Sequence, residues 1–196
     1  MIDALLSLYQ ATFDTKWLKE AQRFTDYVIT HFFKAENGMF NYTSDLDPAL
    51  IARKSELGDN VIPASNSVMA KNLKVLGELL YNKDYIAKSD QMLANMNQVL
   101  MSSTAPSFYS NWLQLYLLNA YAPYEIAIIG KDAESLRKEM MSSYFPNAIF
   151  LGGTEEGDLK LLEAKLDPER TLIYVCQNKS CKFPVETVNE AIELMR

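Results

Sequence analysis

Residues 5–28, LLSLYQATFDTKWLKEAQRFTDYV, return at 73–96 as LKVLGELLYNKDYIAKSDQMLANM. Leu5, Leu8, Trp17, Leu18, Ala21, Phe24 and Val28 are matched by Leu73, Leu76, Tyr85, Ile86, Ser89, Met92 and Met96, at one constant offset of 68 residues. In each copy a leucine-rich stretch with helical spacing stops at a polar break, Thr12 to Thr15 or Tyr81 to Asp84. A second helical stretch then opens on an aromatic–aliphatic pair that packs back on the first. This is an αα-hairpin used twice. A tetratricopeptide array repeats after about 34 residues, whereas the copies here are separated by Asn37 to Pro63, which holds Gly38, Pro48, Gly58 and Pro63 and no helical period. Long loops between hairpins predict a helical toroid.

Outward from the repeat, the spacing predicts helices over Ile2 to Thr12 and Thr15 to Phe33, the second with Trp17, Ala21, Phe24, Val28 and Phe32 on one face. Met39 to Thr43 alternates weakly and reads as a short strand or extended segment, followed by charged loop from Ser44 to Pro63. The next helix opens at Pro63-Ala64-Ser65-Asn66-Ser67 and runs to Tyr81, with Ser65 or Asn66 as the expected N-cap. It is apolar on more than one side, as an inner helix should be. Asp84 to Ser102 reads as its outer partner, and Ser107 to Tyr121, with Phe108, Trp112, Leu115 and Leu118, as a further inner helix. At Pro123 the pattern changes to short β-branched runs: strands are expected at Glu125–Ile129, Ala148–Leu151 and Thr171–Val175, and helices at Ala133–Ser143 and Val185–Met195. Asp158 to Glu163 reads as a short packing helix. The expected class is therefore mainly α, with residues 1–122 forming αα-hairpins of a partial toroid and residues 123–196 a small α/β unit.

A chain of 196 residues that is 48% hydrophobic has material for a sizeable core. A net charge of −6, with basic residues scattered among acids, argues against a nucleic-acid partner. No run approaches the ~20 apolar residues of a membrane span, and the first residues lack a signal-peptide pattern. Two cysteines are too few for a secreted disulfide scaffold, and a cytoplasmic address is the expectation. Met1 to Leu6 enters the apolar period at once, as a piece of a longer protein would. Gly130-Lys131-Asp132 and Gly152-Gly153-Thr154 fit neither the dinucleotide nor the phosphate-loop pattern, so no cofactor is expected.

Four segments together resemble a known family: Asp3 to Asp14; Asp59 with Pro63-Ala64-Ser65-Asn66-Ser67; Glu125 to Gly130; and Val175-Cys176-Gln177-Asn178 with Cys181 and Pro184. They look like the C-terminal part of the thioredoxin-domain-containing, spermatogenesis-associated (YyaL-like) proteins. The resemblance implies a thioredoxin-like domain, an (α/α)6 toroid similar to N-acylglucosamine 2-epimerases and six-hairpin glycosidases, and a short α/β tail. This chain corresponds to the last third or so of such a protein, without the thioredoxin-like domain and the first half of the toroid. The family pattern at the inner helix is Pro-Ser-Gly-Asn-Ser; here Ala64 and Ser65 stand in its second and third places. The implied role is carbohydrate-related or redox-related.

The first candidate site follows from the inner-helix starts, which line the central cavity of a toroid. Asp59, Asn66 and Ser67 are the expected hydrogen-bonders to a carbohydrate ligand, and Trp112 its stacking surface, with Glu56, Ser65 and Tyr109 beside them. Caps and core aromatics are the competing reading of the same residues. Glycoside hydrolysis needs two carboxylates about 5–10 Å apart on opposite sides of the bond, and Glu56 and Asp59 share one loop. Epimerase chemistry uses histidines, and the one histidine, His31, reads as a solvated residue on an outer helix. No catalytic residue is assigned; the acid–base groups of an isomerase or glycosidase-like parent would lie outside this chain. The rival class is a non-catalytic interaction module that buries an open toroid face against another domain or a second copy.

The second candidate is Cys176 and Cys181, at the end of a predicted strand. Four intervening residues allow a disulfide or a metal half-site; two reduced thiols on a structured loop are the reading that a reducing compartment favours, and a reversible disulfide with a thiol–disulfide role is the alternative. A zinc site needs about four ligands, and no further cysteine or nearby histidine supplies them, so no metal is expected.

Overall fold

In the computed structural model, which describes residues 1–48 and 51–196, both copies of the repeat are antiparallel helix pairs: α1 (Ile2–Thr12) with α2 (Thr15–Phe32), and α3 (Ser65–Leu80) with α4 (Lys83–Ser102). Positions 49 and 50, in the charged loop, lie outside the described residues. The repeat extends to the backbone of the two breaks. Phe13 and Tyr81 are both left-handed, with φ of 57° and 56°, and each returns its N–H to the helix it ends, to Tyr9 O and Gly77 O. Left-handed backbone is uncommon outside glycine and asparagine, so two aromatic residues in that conformation at matching places identify one turn used twice. The next residues, Asp14 and Asn82, cap the following helices by accepting from the Lys16 N–H and from the Asp84 and Tyr85 N–H groups.

The second hairpin lies deeper than the first. α3 packs on α1, α2, α4 and α5 (Ser110–Ala120) and buries Leu73, Leu76 and Leu79, whereas Leu8, the counterpart of Leu76, is 40% exposed. Ser89, buried where the first copy has Ala21, donates to Ala70 O at 2.7 Å. Gly77 lets α4 approach α3 closely: a Cβ there would lie 2.6 Å from Ile86 Cγ1.

Of three expectations for the helical part, the first is met as a strand and the other two are corrected. The extended segment at Met39 is half of a small hairpin, β1 (Phe33–Lys34) with β2 (Met39–Phe40). Ser65 and Asn66 are the first residues of α3 and not its cap; that place falls to Ala64, which offers no side-chain acceptor. Pro106 to Tyr109 forms a separate 3-10 turn ahead of α5, which turns Phe108 outward to half exposure and leaves Trp112 and Leu115 as the buried residues of that helix.

Between Ala120 and Tyr124 the chain passes to a four-stranded mixed sheet of order β4-β3-β5-β6, formed by β3 (Tyr124–Ile129), β4 (Ala148–Gly153), β5 (Leu172–Gln177) and β6 (Ser180–Cys181). β3 is parallel to β4 and antiparallel to β5. Both faces are covered, which is why the strands read as unbroken apolar runs. Ala127, Ile129, Ile149, Leu151 and Cys176 join the core of the helical part, while Ile126, Ile128, Phe150, Ile173 and Val175 pack with residues of α6 (Ala133–Met140) and α7 (Val188–Leu194). Thr187 and Glu190 cap the start of α7 with a reciprocal capping box. Across the two parts, Gln10 of α1 accepts the N–H of Phe150 in β4 at 3.0 Å. The run after Asp158 is a 3-10 turn, Lys160–Leu162, with Leu161 and Leu162 buried. Among the described residues no helix is long and apolar enough to cross a membrane.

Candidate functional site

The structure brings Asp59, Asn66, Ser67 and Trp112 together, and buries all four; Asp59 is 4% exposed and the other three are inaccessible. Each is occupied by the chain itself. Asp59 Oδ1 accepts the Ala64 N–H and the Ser67 hydroxyl, both at 2.8 Å, and Oδ2 accepts the Asn111 N–H at 2.9 Å. One carboxylate thus serves the free amides at the starts of both α3 and α5, a cap supplied from a loop residue that precedes either helix. Burial pushes the Asp59 carboxyl up, but the N–H groups of Ala64 and Asn111 and the Ser67 hydroxyl outweigh it and hold the group below its ordinary value. Asn66 accepts from Phe40 N–H and donates to Phe40 O and Glu56 O, tying β2 and the loop to α3. The indole N–H of Trp112 donates to Leu57 O at 2.7 Å. In this arrangement the four residues fasten residues 56–59 across the starts of two helices, and their polar atoms face one another.

The groups left open to solvent at this end lie one layer further out. A cleft of about 520 Å³ is lined by Tyr42, Thr43, Ala52, Lys54, Ser55 and Glu56. Tyr42 is 67% exposed, and Glu56 holds its place by accepting the Ser65 N–H at 3.1 Å. Glu56 was within reach of sequence reasoning as a charged residue near the helix start; Tyr42 was not, because its place depends on the β1–β2 hairpin and on the Tyr42 N–H to Lys54 O bond.

His31 departs from the solvated reading. Its Nδ1 lies 2.8 Å from Asp45 Oδ1, the Asp45 N–H donates to His31 O, and Tyr27 packs over the ring at 4.6 Å. It lines a separate polar cleft of about 400 Å³ with Lys34, Asn41 and Arg53, where Arg53 donates to the carbonyls of Thr43 and Ser44 and so braces the loop.

Cys176 and Cys181 form a disulfide, which replaces the reduced pair expected from the compartment and occupies both sulfurs that a metal would need. The two residues are direct partners in the β5–β6 hairpin, whose turn residues Asn178 and Lys179 both have positive φ, 53° and 66°, the geometry of a tight two-residue hairpin turn. The Lys179 ammonium pairs with Glu78 at the end of α3 and with buried Glu125 of β3, and sits 4.3 Å over the Tyr81 ring. Because the bond closes a loop with a separation of only five residues, its reduction is expected to lower stability by about 2 kcal/mol. Urea unfolding with and without reductant measures this; a loss above about 4 kcal/mol would mean that the bond holds more than its own hairpin.

The sequence matches no protein-family profile. Over its whole length it is similar to spermatogenesis-associated protein 20 of Homo sapiens and of Rattus norvegicus, at 24% identity across 209 aligned residues in each case. The Mus musculus protein of the same name aligns at the same identity. The chain spans 26% of the length of these relatives, so the similarity concerns one segment of a larger protein.

Proposed function

We propose that this chain forms one wall of a carbohydrate-binding cavity of the (α/α)6 toroid type, without supplying the catalytic groups. The observation that supports the reading is the cleft at the start of α3. Tyr42 offers an exposed aromatic face for the C–H face of a sugar ring, and Glu56, Lys54 and Ser55 offer a carboxylate, an ammonium and a hydroxyl for its hydroxyl groups. Asp59, Asn66, Ser67 and Trp112 act behind this surface by fixing the loop that carries Glu56. The remainder of the ring, a thioredoxin-like domain and a cytoplasmic setting belong to the same proposal. The first two rest on the resemblance to YyaL-like proteins and on relatives far longer than this chain, the third on the low cysteine count and the lack of a signal-peptide pattern. Calorimetric titration with a panel of mono- and oligosaccharides tests it: Tyr42→Ala is expected to weaken binding about three- to tenfold and Glu56→Gln to weaken it as well. Absence of binding across the panel, or a Tyr42→Ala chain that binds as the wild type does, would overturn it.

A second reading, an interaction module, is favoured by the outer side of α5. Leu117 and Tyr121 are 57% and 69% exposed, and with Tyr144, Pro146 and Ile149 they line an open cleft of about 500 Å³ between α3, α5 and β4. Apolar surface of this kind is covered in stable assemblies. Sedimentation showing a monomer at all concentrations, together with no binding of a hydrophobic dye, would count against it.

A further inference from the structure

We propose that the Cys176–Cys181 disulfide is exchangeable in the folded protein, and that a dithiol reductant opens it by attacking Sγ of Cys181. Three observations carry this. The two ends of the bond differ in access: Cys176 is 1% exposed in the sheet core, whereas Cys181 is partly exposed on a two-residue edge strand between the exposed residues Ser180 and Lys182. A nucleophile therefore reaches one sulfur and displaces the other. The hairpin is also held by bonds that do not involve sulfur. The Lys179 N–H donates to Glu125 Oε2 at 3.1 Å, the Lys179 ammonium is fixed by Glu78 and Glu125, and the Lys182 N–H donates to Val175 O at 2.9 Å. Opening the bond leaves both cysteines opposite each other, ready to close again. Finally, Glu125 stands opposite Cys176 in the β3–β5 pairing, where an unpaired carboxylate would oppose a departing thiolate. The Lys179 ammonium compensates that charge.

The exchange balances as two displacements. One thiolate of the reductant attacks Cys181 Sγ and forms a mixed disulfide as the Cys176–Cys181 bond breaks; Cys176 leaves as thiolate and takes a proton from water. The second thiolate of the reductant attacks the reductant sulfur of the mixed disulfide and releases Cys181, which is protonated in turn. The two cysteines gain two electrons and two protons, and the dithiol becomes a disulfide. This role is independent of the carbohydrate reading.

The oxidised full chain is to be treated with dithiothreitol in native buffer and in denaturant, quenched with iodoacetamide at intervals and weighed by mass spectrometry. The expected result is opening in the native state within about tenfold of the unfolded rate, with closure restored by glutathione disulfide. In parallel, Cys176→Ser is expected to take up glutathione at Cys181 at least about tenfold faster than Cys181→Ser takes it up at Cys176. Native opening slowed beyond tenfold, uptake at equal rates, or free thiols that do not close in glutathione disulfide would overturn the proposal. The wild-type rates decide the matter even where a serine variant folds poorly.

Discussion

Gly152→Ala is expected to lower the unfolding free energy by about 3–6 kcal/mol, a large share of the usual total of about 5–15 kcal/mol. Gly152 has φ of +156°, which aims its α-substituent into the neighbouring strand instead of away from the sheet. A Cβ would stand 1.9 Å from the carbonyl oxygen of Ile128, its partner in the β3–β4 ladder, and 2.8 Å from a ring carbon of Phe13. Neither neighbour is a flexible side-chain end that can swing aside: one is backbone, and the other belongs to the left-handed residue that closes α1. The substitution therefore separates β3 from β4 and loosens the contact of the first hairpin with the sheet. Gly157→Ala is the control. Gly157 also has positive φ, 59°, but a Cβ there meets nothing within 4 Å, so a loss of about 1 kcal/mol is expected from backbone conformation alone. Urea unfolding followed by far-UV circular dichroism compares the two; equal losses would show that the close approach to Ile128 does not hold in solution.

The second large effect is expected at Asp59. Asp59→Ala leaves the Ala64 and Asn111 N–H groups without their acceptor and the Ser67 hydroxyl with Ala64 O alone, a loss of about 3–5 kcal/mol. Asp59→Asn keeps one carbonyl oxygen but turns an amide NH₂ toward a donor, for about 1.5–3 kcal/mol. The dependence on pH gives a finer signature. Because the folded protein holds this carboxyl below its ordinary value, its contribution is fully present above about pH 4, the unfolded value, and is lost as pH falls through the folded value. The gap in stability between wild type and Asp59→Asn should therefore narrow with acidification below about pH 4. A gap that stays constant to pH 2 would show that the carboxylate charge is not what the three donors recognise.

The hairpins were legible because their information is local. Apolar spacing and the breaks at Thr12 and Tyr81 place α1 to α4 within a residue or two of where they lie. What escaped depends on partners distant in sequence. Asn66 looks like a cap, but its amide is drawn to Phe40, 26 residues away, while the acceptor for the first turn of α3 comes from Asp59. His31 looks solvated on its own helix, yet Asp45 folds back on it across a loop with no periodicity to read. Strand β6 is two residues long and exists only through pairing with β5; the trace it left in the sequence was Asn178, a residue that tolerates left-handed backbone. The cluster of Asp59, Asn66, Ser67 and Trp112 was legible as a neighbourhood, but not the inward direction of its side chains, which the loop's own hydrogen bonds decide.

The bond from Gln10 to Phe150 has a consequence for solubility. β4 is the outermost strand on its side of the sheet, and an outermost strand presents unpaired main-chain groups on which a second molecule can build. The Gln10 side chain takes one of those groups out of play and brings α1 against the strand. At the opposite border, β6 follows a tight turn and ends after two residues. A chain carrying Gln10→Ala would keep its fold and expose a longer free border, so the first sign of that change should be fibrous or amorphous aggregation on concentration rather than a lower melting temperature.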